Sequence, residues 1–231
     1  MNGSVLSVNL GRRAVDKGKP ANFTGIDKQP VASAEVIAPP PRELTRGMAP
    51  DSRSGLVGDY IGDGAHHGGS IQAVYACARE DLDRLGGQVG RDFPSGSFGE
   101  NLTTTALDVT GALIGEQWRI GTGPDATELV VTCPRIPCNT FRAWIAEKGW
   151  LKTFTITARP GAYLAVLKPG VVRPGDPIEV TFRPDHDVTI GLLFRSQTLE
   201  RELAPLVLTA EQYLDPESLA YARRGETFRI G

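Results

Sequence analysis

Glycine and proline set the first constraint on this chain. It carries 27 glycines and 17 prolines in 231 residues, about 19% where ordinary usage gives roughly 12%. Such an excess fits either a flexible, low-complexity chain or a rigid one built of many short strands with turns between them. The distribution decides between them. Both residues are dense up to residue 183 and thin out beyond it, so they punctuate structure rather than prevent it. A hydrophobic fraction of 40% with 23% charged residues leaves enough apolar surface to bury a core.

Several function classes are excluded early. A net charge of −2 supplies no basic excess to neutralise nucleic-acid phosphates, so no nucleic-acid partner is expected. Three cysteines are too few for a disulfide scaffold, and with three histidines they cannot build a dense zinc module. No apolar run approaches the length of a membrane span, and the first ten residues lack a basic start and an apolar core. The expectation is a soluble, cytoplasmic protein with reduced thiols and no membrane partner.

Short strand candidates bounded by Gly or Pro lie at residues 5–8, 115–121, 129–133, 161–167 and 174–182, the last opening on a turn. Their β-branched and aromatic content suits strands. Lys17-Gly18-Lys19-Pro20 reads as a turn, Ala38-Pro39-Pro40-Pro41 as a stiff extended segment, and residues 42–54 as a loop. The spacing predicts a long helix over residues 70–85, because Ile71, Val74, Tyr75, Ala78, Leu82 and Leu85 share one face at a 3.6 period. Ser70 would cap it and Gly86-Gly87 would stop it. A shorter helix is predicted over 140–148. The fold class is therefore mainly β, an antiparallel barrel or sandwich with one long and one short helix. Residues 1–183 form this body. Residues 184–231 read as three short helices, capped by Asp187, Thr198 and Asp215, the last followed by Pro216 and stopped by Gly225. With five arginines against eight acids, this tail is not a nucleic-acid arm.

Three polar clusters could carry chemistry. In Ala65-His66-His67-Gly68-Gly69-Ser70, two glycines before a predicted helix allow close backbone approach and anion binding, or they form an ordinary entry turn. In Gly96-Ser97-Phe98-Gly99-Glu100-Asn101-Leu102, Glu100 and Asn101 could read an amide-rich heterocycle, or the stretch is a Gly-Asx turn into a strand. In Cys133-Pro134-Arg135-Ile136-Pro137-Cys138, two prolines hold a thiol beside an arginine, which suits a nucleophile or a soft metal ligand. The C-x4-C spacing with no second pair argues against structural zinc. Cys77 and Cys133 read as buried structural cysteines. Cys138 is the reactive candidate, and His67 could partner it in a cysteine hydrolase.

Taken in order, these clusters resemble the MOSC domain, named for the C-terminal domain of molybdenum cofactor sulfurases. Thr24-Gly25-Ile26-Asp27-Lys28, Val57-Gly58-Asp59 and Gly161-Ala162-Tyr163-Leu164-Ala165-Val166-Leu167-Lys168-Pro169-Gly170 extend the likeness. The tail resembles the three-helix appendage of stand-alone bacterial members. The resemblance implies a barrel-like fold with a pocket for the molybdenum cofactor, a pterin dithiolene with a phosphate. It implies that Cys138 ligates the metal or carries a persulfide. It assigns Lys28, His67, Gly68, Gly69, Gly99, Glu100, Asn101 and Arg135 to the cofactor, with Arg135 pairing either its phosphate or Glu100. Relatives reduce N-hydroxylated compounds with electrons from a separate redox protein. The pyridoxal phosphate domain of the full sulfurases has no counterpart here, so no such site is expected. Three hypotheses follow: a molybdenum-dependent reductase, a carrier of cofactor or sulfane sulfur, and a cysteine-dependent hydrolase.

Overall fold

The first strand organises the molecule because it is long enough to bend through three partnerships. The computed structural model describes residues 2–45 and 47–228; Met1 and Gly231, the ends of the two expected segments, lie outside them. Strand β1 (Asn2–Val15) pairs with β10 (Pro177–Phe182), then β5 (Leu102–Thr105), then β2 (Phe23–Val31). Register shifts at Val5/Ser7 and Arg12/Ala14 turn it from one partner to the next, as bulges bend a strand.

The remaining strands complete the ring: β4 (Val74–Ala78), β6 (Gln117–Ile120), β7 (Thr127–Pro134) and β8 (Ala162–Lys168). The order β10-β6-β7-β8-β4-β5-β1 closes through the β1–β10 pair into a seven-stranded barrel, with β2 attached at the side of β1. A two-stranded ribbon, β3 (Ala34–Val36) with β9 (Gly170–Val172), lies apart. Closure buries edges that would otherwise invite pairing with other chains. Trp118, Ile120, Leu129, Val131, Leu164 and Ile178 fill the barrel.

One sequence expectation fails. Residues 70–85 are not one helix. Ser70–Gln72 is a single 3-10 turn, Val74–Ala78 is strand β4, and the helix α2 (Arg79–Val89) starts only after it. All five residues of β4 are buried. A strand covered on both faces reads as a continuous apolar run, and such a run satisfies a helical period by accident. Ala78 occupies the N-cap, Gly86 and Gly87 lie inside the helix, and Gly90 ends it in the left-handed conformation. The β4–β5 pair is parallel, the exception among the barrel pairings described, and α2 sits in the connection that a parallel pair requires.

A short helix α1 (Arg42–Thr45) and a 3-10 turn Pro50–Ser52 occupy the expected loop. The predicted helix over 140–148 is found as α3 (Asn139–Ile145), ended by Ala146. A further helix, α4 (Trp150–Thr157), went unread. Its Thr153-Phe154-Thr155-Ile156-Thr157 run alternates like a strand. Tertiary packing overrides that pattern: Phe98, Phe141, Trp150 and Phe154 meet mostly edge to face at 5.1–6.0 Å, an arrangement favoured by the ring quadrupoles.

The tail is helical as expected, with different starts. Helix α5 (Ile190–Thr198) is capped by Thr189, whose side chain accepts from the Leu192 N–H, rather than by Asp187. Thr198 lies inside α5. The predicted second helix is a 3-10 turn Arg201–Leu203 followed by α6 (Ala204–Val207) and another 3-10 segment, Leu208–Tyr213. Helix α7 (Pro216–Arg224) has Asp215 as its cap, Pro216 first and Gly225 after its end, as the sequence predicts. Val188, Ile190, Leu193, Val207 and Ala210 join the same apolar cluster as the barrel interior.

The loop after β3 presses against β2 without room for a methyl group. A Cβ on Gly25 would lie 1.6 Å from the Tyr60 carbonyl oxygen. Gly25→Ala is expected to cost about 1–3 kcal/mol through overpacking. That corresponds to a melting temperature roughly 2–12 °C lower by circular dichroism; no change would show that the two segments are not in contact.

Candidate functional site

The outer face of β4, β8 and β7 forms the floor of a cavity of about 800 Å³, within the usual size of a cofactor pocket. Alternation along each strand separates two environments. Val74, Ala76, Ala162 and Leu164 face the barrel core. Tyr75, Tyr163 and Cys133 line the cavity and are neighbours across the three strands in register. The segment from Pro134 to Cys138 leaves the end of β7 and forms one wall, with α3 starting directly after Cys138.

Cys138 is the reactive group of this wall. Burial alone would raise its thiol pKa, but a hydrogen bond from His67, the charges of Arg135 and His67, and the Phe141 backbone N–H outweigh burial and bring it down to about 6. It is a thiolate at neutral pH. Cys133 differs, although it lines the same cavity. It is 7% exposed, and burial with the nearby Asp215 carboxylate pushes its thiol far up. Cys77 is fully buried and its thiol is also pushed up by burial.

Arg135 lines the same cavity and acts on this thiolate through its charge. Its guanidinium carbon stands 3.7 Å from the Phe141 ring centroid and 5.5 Å from that of Tyr75, and it donates to the Phe98 carbonyl at 2.7 Å. It is 6% exposed. Among the described residues it makes no ion pair, and in particular none with Glu100. A buried cation without a carboxylate favours an anion beside it.

The other expected residues divide into wall and scaffold. Lys28, His67, Gly68, Gly99 and Asn101 line the cavity; Gly69 and Glu100 do not. Glu100 is fully buried, and its carboxylate accepts from the Gly96 N–H at 2.5 Å, the Phe98 N–H at 3.0 Å and the Thr103 hydroxyl at 2.8 Å. It clamps its own loop. Asn101 is equally committed: its oxygen accepts from the Tyr75 N–H, and its amide donates to Asp59 and to the Asn9 carbonyl. Gly68 and Gly69 adopt φ of 80° and 78°, a region that excludes most side chains. A Cβ on Gly68 would lie 2.6 Å from the Arg53 carbonyl. They precede a three-residue turn, so the helix N-terminus expected to bind an anion is absent.

Asp59, which the sequence marks only through the family resemblance, is the hub of the scaffold. Its carboxylate accepts from the Gly11 N–H and the Lys28 ammonium at 2.5 Å, the Ser54 hydroxyl at 2.7 Å and the Asn101 amide at 3.0 Å. Lys28 is thus neutralised by the protein itself. Arg53, in the expected loop, donates to the Thr45, Met48, Ile61 and Gly62 carbonyls and holds the cavity rim together. Arg42 also reaches the rim, donating to the His66 carbonyl at 2.9 Å and lying 3.6 Å from Glu217 of α7. The tail therefore contributes to the cavity wall. Little in the sequence marks the bonds of Asp59 to Gly11, Lys28 and Asn101 or those of Arg42 to His66 and Glu217, since they join residues 24 to 175 apart.

Among the described residues no group of three or more His, Cys, Asp or Glu side chains could hold a metal ion unaided. One soft thiolate suits a metal that brings most of its ligands with it.

A family model for the MOSC domain matches residues 63–179. The chain belongs to the MOSC domain family. The matched stretch contains His67, Arg135, Cys138 and Tyr163, while Lys28, Asp59 and the helical tail fall outside it. This MOSC protein is 28% identical over 188 residues to the uncharacterized protein YflK of Bacillus subtilis, covering 81% of this chain and 77% of YflK. Over 136 residues, 58% of this chain, it is 29% identical to a protein of Gibberella moniliformis named Reductase; that match spans 24% of the fungal protein. Its fold is shared with YiiM from Geobacillus stearothermophilus, with a TM-score of 0.73 and 22% identity over 96% of this chain and 98% of that one. YiiM from Escherichia coli gives 0.69 and 19%, over 97% and 92%. Among the described residues no helix is long and apolar enough to cross a membrane.

Proposed function

We propose that the cavity holds the molybdenum cofactor and that the protein reduces N-hydroxylated compounds with electrons from a separate redox protein. One observation carries this reading. A thiolate with a pKa of about 6 faces a cavity large enough for a pterin, beside a buried arginine with no acidic partner. Membership of the MOSC family supports the cofactor, and the name of the fungal relative agrees with a reductase.

The residues present fit the group. Cys138 would supply the thiolate to the metal, and Arg135 would balance negative charge on the cofactor or its phosphate. When bound, the cofactor supplies a two-electron store and an acceptor for oxygen. The chain's own residues do the rest. His67 keeps Cys138 ionised, the Asp59 network fixes the loops that shape the cavity, and the aromatic floor limits water. The overall reaction balances as R–NHOH plus two electrons and two protons giving R–NH2 and water.

The test is an anaerobic assay of protein made in a host that synthesises the cofactor, with reduced methyl viologen as donor and N-hydroxybenzamidine as substrate. Turnover is expected for the unaltered chain and none for Cys138→Ala. Cofactor on the protein without turnover would replace this reading with a carrier, and thiol-dependent hydrolysis by metal-free protein would replace it with a hydrolase.

A further inference from the structure

We propose that Tyr163 is a substrate-positioning residue whose phenol O–H donates a hydrogen bond to the oxygen of the bound N-hydroxylated compound. The inference rests on the function proposed above and names the group on this chain that recognises the N–O bond.

Its support comes from a contrast between two tyrosines on one floor. Tyr75 and Tyr163 are neighbours in register on β4 and β8, their rings 5.1 Å apart. The Tyr75 hydroxyl is spent inside the protein, donating to the Pro160 carbonyl at 2.7 Å. The Tyr163 hydroxyl has no hydrogen-bond partner among the described residues, nor is it one of the polar atoms sealed away from solvent. A phenol on a cavity wall with its donor unspent is open to a ligand, because a half-buried tyrosine ordinarily finds a partner for its O–H.

This donor and the reactive thiolate of Cys138 line the same cavity. Tyr163 is flanked across the strands by the neutral Cys133 thiol, and it feels the charges of Arg135, Cys138 and Arg42. Burial pushes its phenol up to about 12, so the proton is retained at neutral pH. The other groups near Cys138 are less suited to the task. Arg135 is held by the Phe98 carbonyl and two rings, Lys28 by Asp59, and His67 by the thiolate it stabilises. Tyr163 is thus a neutral donor available to the substrate oxygen that leaves as water. The step needs two electrons from the redox protein and two protons from solvent, and the hydrogen bond stabilises the departing oxygen as the N–O bond breaks.

The experiment compares unaltered protein with Tyr163→Phe, which keeps the ring packed on Tyr75. Melting temperature and molybdenum content, and on metal-free protein the pH midpoint of Cys138 alkylation, are measured on both as controls. Calorimetric titration with N-hydroxybenzamidine and with benzamidine, which lacks the oxygen, gives the binding preference. The unaltered protein is expected to prefer the N-hydroxy compound, and Tyr163→Phe to lose about threefold to tenfold of that preference. In turnover, kcat is expected to fall by about 100-fold, the usual scale for losing a donor to a leaving group, with a smaller change in KM. An unchanged preference together with kcat within threefold overturns the assignment while the cofactor reading stands. Absence of molybdenum or turnover in the unaltered protein overturns that reading instead, and the binding preference then decides the role of Tyr163 by itself.

Discussion

Asp59→Ala is expected to lower the melting temperature by roughly 6–20 °C. The estimate follows from burial on both sides of an ion pair. Asp59 is fully buried and Lys28 is 8% exposed, and the carboxylate accepts from four donors on four separate segments. Removing it leaves a buried ammonium without a counter-charge, which costs about 3–5 kcal/mol. For a chain of this size each kcal/mol is worth about 2–4 °C. Asp59→Asn keeps the shape but not the charge and should fall between. Adding Lys28→Met to Asp59→Ala should recover part of the loss, since two apolar groups replace a pair rather than orphan one member. Thermal unfolding of the four proteins checks this. Equal melting temperatures would show that the network does not hold the loops around the cavity.

The second large effect concerns the thiol. In metal-free protein, iodoacetamide should modify Cys138 with a rate that rises through pH 6 and levels above about pH 7, because the thiolate reacts and the pKa is about 6. The sign is set by deprotonation: below the pKa the thiol is silent, above it reactive. His67→Ala removes the largest favourable contribution, so the midpoint should move clearly upward toward the ordinary thiol value near 8.5. The midpoint is a better readout than the rate at one pH. A thiolate of higher pKa is intrinsically more nucleophilic and offsets part of the lost ionisation. Cys77 and Cys133 are buried and should stay unmodified in the native protein, so mass spectrometry reports one site. A midpoint near 8.5 in the unaltered chain, or no shift in His67→Ala, would remove the thiolate from the account.

What the sequence made legible was local. The loop Pro134 to Cys138 is stiff because of its own prolines, and the α7 start at Asp215-Pro216 is written in two adjacent residues. Turn residues between β-branched runs implied a barrel or a sandwich, and the resemblance to the MOSC domain pointed to the barrel. The failures have one physical source, that neighbours distant in sequence decide the outcome. Val74–Ala78 became a strand because β8 and β5 cover it on either side. Trp150–Thr157 became a helix because Phe98 and Phe141 receive its aromatic face. Glu100 is the opposite case: the partners of its carboxylate, Gly96, Phe98 and Thr103, are local, as the reading of a turn into a strand implies. Asp59 and Tyr163 carry no local signal. Their importance comes from what they meet, or do not meet, across the fold.

The central claim is that Cys138 holds molybdenum in the cavity. Protein made in a host able to synthesise the cofactor, purified without reducing thiols, should contain roughly one molybdenum per chain by metal mass spectrometry, and Cys138→Ala should contain less than about a tenth, because losing the one protein thiolate removes the direct bond to the metal. Less than about a tenth in the unaltered chain, or as much in Cys138→Ala as in the unaltered chain, would contradict the claim.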